Sequence, residues 1–65
     1  AEGLRIALSE LSDHDRTVLL MFYFEDASYK QIAEELDLKL GTVMSRLSRA
    51  KDHLRQRLVN RAEFQ

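Results

Sequence analysis

The sequence predicts an all-α fold: a small four-helix domain that contains a helix-turn-helix and ends in a long helix. Three observations predict it. The 65 residues include no Pro and only two Gly, so little interrupts helical pattern. Apolar residues recur at three- and four-residue spacings, and no alternating run bounded by turn residues reads as a strand. Ser12 and Ser28 each stand just before a helical pattern, where a hydroxyl can cap the first turn.

Leu4, Ala7, Leu8 and Leu11 share one helical face and predict a first helix over about residues 3–10. Ser12 starts a second helix, with Asp13 and Asp15 in the first turn, where the helix dipole favours negative charge. That helix runs to about Phe24, and "EDAS" breaks it. Ser28 and Gln31 form a capping box for a third helix, which turns Ile32, Ala33 and Leu36 inward. Asp37 ends it, because Asp tolerates left-handed backbone better than most residues. Leu38 plugs the turn. A fourth helix begins near residues 40–42 and runs to about Asn60, with Val43, Leu47, Ala50, Leu54 and Leu58 as its buried stripe. The helix-turn-helix therefore covers about residues 28–50 of a single domain over residues 1–65.

Size and composition exclude several classes. A chain this short buries only about 60% of its unfolded surface, which leaves no room for a deep enclosed active site. The hydrophobic share of 45% is that of a folded domain. There is no Cys for a disulfide or a thiolate metal site. The longest apolar run, Val18 to Phe24, is seven residues, whereas a membrane span needs about 20. The first residues lack a signal-peptide pattern, and a start at Ala1 rather than Met is expected of a piece cut from a longer protein. His14 and His53 have no spacing suited to a metal or a catalytic set, so no enzyme, catalytic residue, metal or cofactor is expected.

The net charge of −1 hides a segregation. Residues 1–38 carry three bases and nine acids, a net of −6. Residues 39–62 carry seven bases (Lys39, Arg46, Arg49, Lys51, Arg55, Arg57, Arg61) and one acid (Asp52), a net of +6. Such asymmetry fits one face for a polyanion, though a solvated helix surface also uses charge in this way.

On a helical wheel at about 100° per residue, the apolar stripe of the last helix occupies a wedge roughly 80° wide. Its first two turns then present Thr42, Met44, Ser45, Ser48 and Arg49 outward. Arg can lie on the O6 and N7 of guanine, a Met or Thr methyl can touch a thymine methyl, and small hydroxyls let the backbone approach. The partner helix opens with Ser28, Tyr29 and Lys30, which suit a phosphate, and Lys39, Arg46 and Arg16 are further phosphate candidates. Plainer readings stand beside these. The serines are then merely solvated, Met44 packs on the second helix, Arg46 and Arg49 pair with Glu34 or Glu35, and Arg16 bridges Asp13. Seven consecutive apolar residues cannot all fit one stripe, so Met21, Phe22 and Phe24 are expected to form a patch for a protein partner, unless Leu4 and Leu8 cover it.

The stretch "SYKQIAEELDLKLGTVMSRLSRAKDHLRQRL" resembles region 4 of bacterial sigma factors, above all the extracytoplasmic-function (group 4) type. "GTV-x-SRL-x-RAK", Gly41 to Lys51, is its most specific part, and the likeness covers about residues 4–58. It implies a domain that reads the promoter −35 element with the second helix of the pair and docks on the β flap of the RNA polymerase core. It also implies possible capture by an anti-sigma factor and a place in the bacterial cytoplasm, with no membrane partner. By resemblance, Arg16, Tyr29 and Lys30 map to the DNA backbone, and Met44, Ser45, Ser48 and Arg49 to the base-reading surface. Arg46 maps to the family's motif Arg. Met44 stands where a basic residue is common, Ser48 where a larger one often sits and Phe22 where a charged one is usual, while Asp26 and Asp37 replace frequent Gly. Two other readings use the same motif: the output domain of a LuxR-type regulator, and a protein-interaction module without sequence-specific DNA binding. "SRLSRAK" favours the sigma type over LuxR.

Overall fold

A computed structural model describes residues 2–63, with side chains for residues 2–60. Four helices follow in order: α1 (Glu2–Ser9), α2 (Asp13–Leu19), α3 (Tyr29–Leu36) and α4 (Leu40–Glu63). Beyond Leu19 the chain continues through one turn of π-helix, Leu20–Phe24. The described residues contain no strand, and no helix among them is long and apolar enough to cross a membrane.

The caps lie where the serines predict them. Ser12 Oγ accepts the Asp15 N–H at 3.2 Å and so satisfies one orphan donor of α2. Ser28 and Gln31 form the reciprocal box, with Oγ accepting from the Gln31 N–H at 3.1 Å and Oε1 from the Ser28 N–H at 2.7 Å. At the other end of α3, Asp37 adopts left-handed backbone (φ 56, ψ 50). The Leu38 N–H then reaches the Ala33 carbonyl at 2.9 Å, and the Asp37 N–H reaches that of Glu34 at 3.4 Å. This pair of bonds is a Schellman motif. It turns the chain sharply enough for α4 to begin at Leu40.

The π turn decides which aromatics face out. Its extra residue per turn, marked by the Glu25 N–H bonding to the Leu20 carbonyl at 3.0 Å, rotates the apolar run relative to an α-helix. Met21, expected on an exposed patch, is instead core, at 6% exposure. It lies three residues after buried Val18, on the same helical face. Phe22 is half-buried and stacks on Tyr29 with ring centroids 5.2 Å apart, which ties the turn to the start of α3. Phe24 stands exposed, as does Tyr23, which the sequence reading did not single out.

One cluster forms the core: Leu11, Val18, Leu19, Met21, Ile32, Val43, Leu47 and Ala50. It sits where α2, α3 and α4 meet, with Ile32, Val43 and Ala50 fully buried. α1 closes one end. Arg16 ties it to α2: Nη1 lies 3.4 Å from the Leu8 carbonyl near the end of α1 and 3.0 Å from that of Leu11 in the turn that follows. The same guanidinium pairs with Asp13. The predicted stripe of α4 fades toward its end, where Leu54 is half-buried and Leu58 exposed. At about 1.5 Å per residue, this 24-residue helix is about 36 Å long, close to the 40 Å long axis of the molecule, and it outruns the short helices beside it.

The Schellman turn yields a stability prediction. A β-branched side chain is strained at positive φ, whereas Gly is not. Asp37→Val should therefore lower unfolding stability by about 1–2 kcal/mol, and Asp37→Gly should leave it unchanged or raise it, as followed by thermal unfolding. Equal losses in both variants would show that the Asp side chain, and not the backbone, matters there.

Candidate nucleic-acid interface

The inward stripe of α4 fixes its outward face. With Val43, Leu47 and Ala50 in the core, Met44, Ser45, Ser48 and Arg49 are exposed on the opposite side. Met44 is 51% exposed, outside the core cluster. Thr42 is half-buried at the edge of this face. Among the described residues, the side chains of Thr42, Ser45, Ser48 and Arg49 make no hydrogen bond or ion pair, and Arg49 does not meet Glu34 or Glu35. An exposed cation beside two free hydroxyls at the start of a helix has its donors available to an incoming ligand.

The flanking residues are arranged less uniformly. Lys39 lies in the exposed turn between α3 and α4. Ser28 and Lys30 are exposed at the start of α3, though the Ser28 hydroxyl is already engaged as a cap. Tyr29, with its ring against Phe22, remains 37% exposed. Arg46 is half-buried, with Nη1 3.0 Å from His14 Nδ1. Arg16 is half-buried, with its guanidinium bonded to the Leu8 and Leu11 carbonyls and paired with Asp13.

Two contacts across the α2–α4 seam were not anticipated from the sequence. They are the Arg46–His14 bond and a 2.6 Å contact between His53 Nδ1 and Asp15 Oδ2. The wheel places Thr42, Arg46 and His53 on one edge of α4, and that edge faces the start of α2. No group of three or more His, Cys, Asp or Glu that could hold a metal ion occurs among the described residues.

A second surface lies on the other half of the molecule. Leu4, Leu8, Leu19, Tyr23, Phe24, Leu54 and Leu58, with Lys51 and Arg55, line an open groove of about 500 Å³. Leu4 and Leu8 thus form one wall of this groove and leave Phe24 and Tyr23 uncovered, at 64% and 54% exposure. Lys51 Nζ sits 6.0 Å from the Tyr23 ring centroid, within cation–π range. A third face is acidic, with Glu25, Asp26, Glu34 and Glu35 around a shallow depression.

Comparison with known proteins agrees with this layout. The family described as Sigma-70, region 4, matches residues 2–54. The RNA polymerase sigma factor YlaC of Bacillus subtilis is 35% identical over 63 residues, which is 97% of this chain and 36% of that protein. The ECF RNA polymerase sigma factor RpoE of Cereibacter sphaeroides is 35% identical over 52 residues (80% of this chain, 29% of that protein). The ECF RNA polymerase sigma factor SigW of Bacillus subtilis is 37% identical over 49 residues (75% and 26%). The chain thus spans about a third of the length of the curated relatives it matches. No solved structure matches it. A helix-turn-helix whose second helix presents free polar side chains, on a chain matched over residues 2–54 by the region 4 profile, belongs to the sigma-70 region 4 family and is similar there to extracytoplasmic-function members.

Proposed function

We propose that this chain is the promoter-reading domain of an extracytoplasmic-function sigma factor, acting by binding and not by catalysis, in the bacterial cytoplasm. The first two turns of α4 enter the major groove at the −35 element. Arg49 reads a guanine edge, Met44 touches a thymine methyl, and Thr42, Ser45 and Ser48 allow close approach and make the smaller polar contacts. Tyr29, Lys30 and the Ser28 backbone at the start of α3 meet the phosphate strand, with Lys39 and Arg46 beside them. The single observation that carries this reading is the outward face of α4, where Arg49 and two serines are exposed and free of internal partners.

The apolar groove is the docking surface for the RNA polymerase core, through the β flap, and an anti-sigma factor covers the same surface. Tyr23 and Phe24 are large rigid groups of the kind that anchor protein interfaces. Its relatives are named RNA polymerase sigma factors, which supports a polymerase partner.

Two outcomes follow. Selection from randomised duplex DNA at low salt should enrich one short motif. Arg49→Ala should abolish that enrichment and cost about 1–3 kcal/mol of discrimination at one base position. Loss of affinity without loss of preference would demote Arg49 to a phosphate contact. Separately, Phe24→Asp should weaken capture by an immobilised polymerase β flap while leaving DNA affinity within about twofold, because exposed substitutions usually change stability by no more than about 0.5 kcal/mol. Undiminished flap capture by this variant would remove the groove from the docking surface.

A further inference from the structure

Arg46 is held from behind. Its Nη1 lies 3.0 Å from His14 Nδ1, joining residues 32 apart in sequence across the α2–α4 seam. A guanidinium has donors only, so a hydrogen bond here makes Nδ1 the acceptor and calls for the tautomer with its hydrogen on Nε2. Guanidinium has five N–H donors in a planar fork. One bond to His14 leaves four for a phosphate. The bond therefore aims the group without using it up.

The surroundings leave this bond undisturbed. Asp13, His14, Thr17, Leu36, Leu38 and Arg46 line one small groove between α2, the turn after α3, and α4. α3 and the turn contribute only Leu36 and Leu38 to it. The Asp13 carboxylate is paired with Arg16, and Asp15 on the same helix with His53. Among the described residues, no carboxylate lies within ion-pair distance of Arg46. A long side chain that is free before binding loses rotamer freedom on meeting DNA, and one that is already oriented loses less.

We propose that His14 is a positioning residue for DNA binding: by accepting a hydrogen bond from Arg46 it orients that guanidinium toward the phosphate backbone. This rests on the reading of Arg46 as a phosphate contact. Phosphate contact is independent of sequence, so a labelled short duplex of fixed sequence at low salt is a sufficient probe. Fluorescence anisotropy on this chain would compare His14→Ala, His14→Asn, Arg46→Ala and the double variant His14→Ala with Arg46→Ala. Asn carries its Oδ1 one bond beyond Cγ, where His carries Nδ1, and so restores the acceptor. His14→Ala should weaken binding roughly 3–10-fold, the cost of ordering one flexible side chain. In the Arg46→Ala background the same change should matter by less than about twofold, and His14→Asn should bind as the parent does. Equal losses in both backgrounds, or no rescue by Asn, would overturn the positioning role. So would an unaffected His14→Ala where Arg46→Ala binds weakly, and the phosphate reading would then stand alone. Unchanged binding by Arg46→Ala would remove the phosphate reading and this inference together.

Discussion

Val43, Leu47 and Ala50 press one side of α4 against Val18 and Leu19 of α2 and Ile32 of α3, and that contact sets the direction of every other side chain in the first half of the helix. An α-helix has 3.6 residues per turn, so three inward positions leave Met44, Ser45, Ser48 and Arg49 no choice but to face away. Each large apolar side chain contributes roughly 1.5–3 kcal/mol on full burial. With eight residues in the core cluster, few of these contributions can be lost before the fold fails. The outward face is thus held by a small core, and the two short turns must place that core accurately. Asp37 does so for α3 and α4, and Asp26, also at positive φ, does so after the π turn.

The same helix serves two unlike surfaces along its length. Its first turns are polar and basic, beside the α3 N-terminus. Its later turns line an apolar groove with α1 and the π turn, rimmed by Lys51 and Arg55. The acidic face at Glu25, Asp26, Glu34 and Glu35 is a third surface, one that repels a polyanion. This arrangement accounts for a nearly neutral chain with strongly segregated charge. Lys39, Arg46 and Arg49 lie in the turn before α4 and in its first turns, while Lys51 and Arg55 rim the groove.

Much of this was legible in the sequence because it is local. The two serine caps, the Gln31 partner of Ser28 and the left-handed Asp37 depend on residues within four positions of one another. The inward stripe of α4 and its outward face follow from period alone. What was not legible depends on packing between elements. The π turn over Leu20–Phe24 has no local signal of the kind that the serine caps provide. Tyr23 and Phe24 are left exposed there, whereas Met21 follows buried Val18 at ordinary helical spacing. Leu58 keeps the period of the stripe but lies where little remains for it to pack on. The Arg46–His14 and Asp15–His53 contacts join residues more than thirty apart, and only the crossing of α2 and α4 brings them together. Arg16 shows the reverse case. Its charge suits a phosphate, yet its guanidinium meets the Leu8 and Leu11 carbonyls between α1 and α2 and pairs with Asp13.

The division of the molecule into a DNA face and a separate apolar face is tested most directly by mapping backbone amide shifts by NMR as a short DNA duplex is added. The account predicts changes concentrated at residues 28–30 and 39–49, fading as salt is raised, with Tyr23, Phe24 and Leu58 undisturbed. Changes centred on the groove, or a response indifferent to salt, would contradict it and would make this helix pair a surface for another protein.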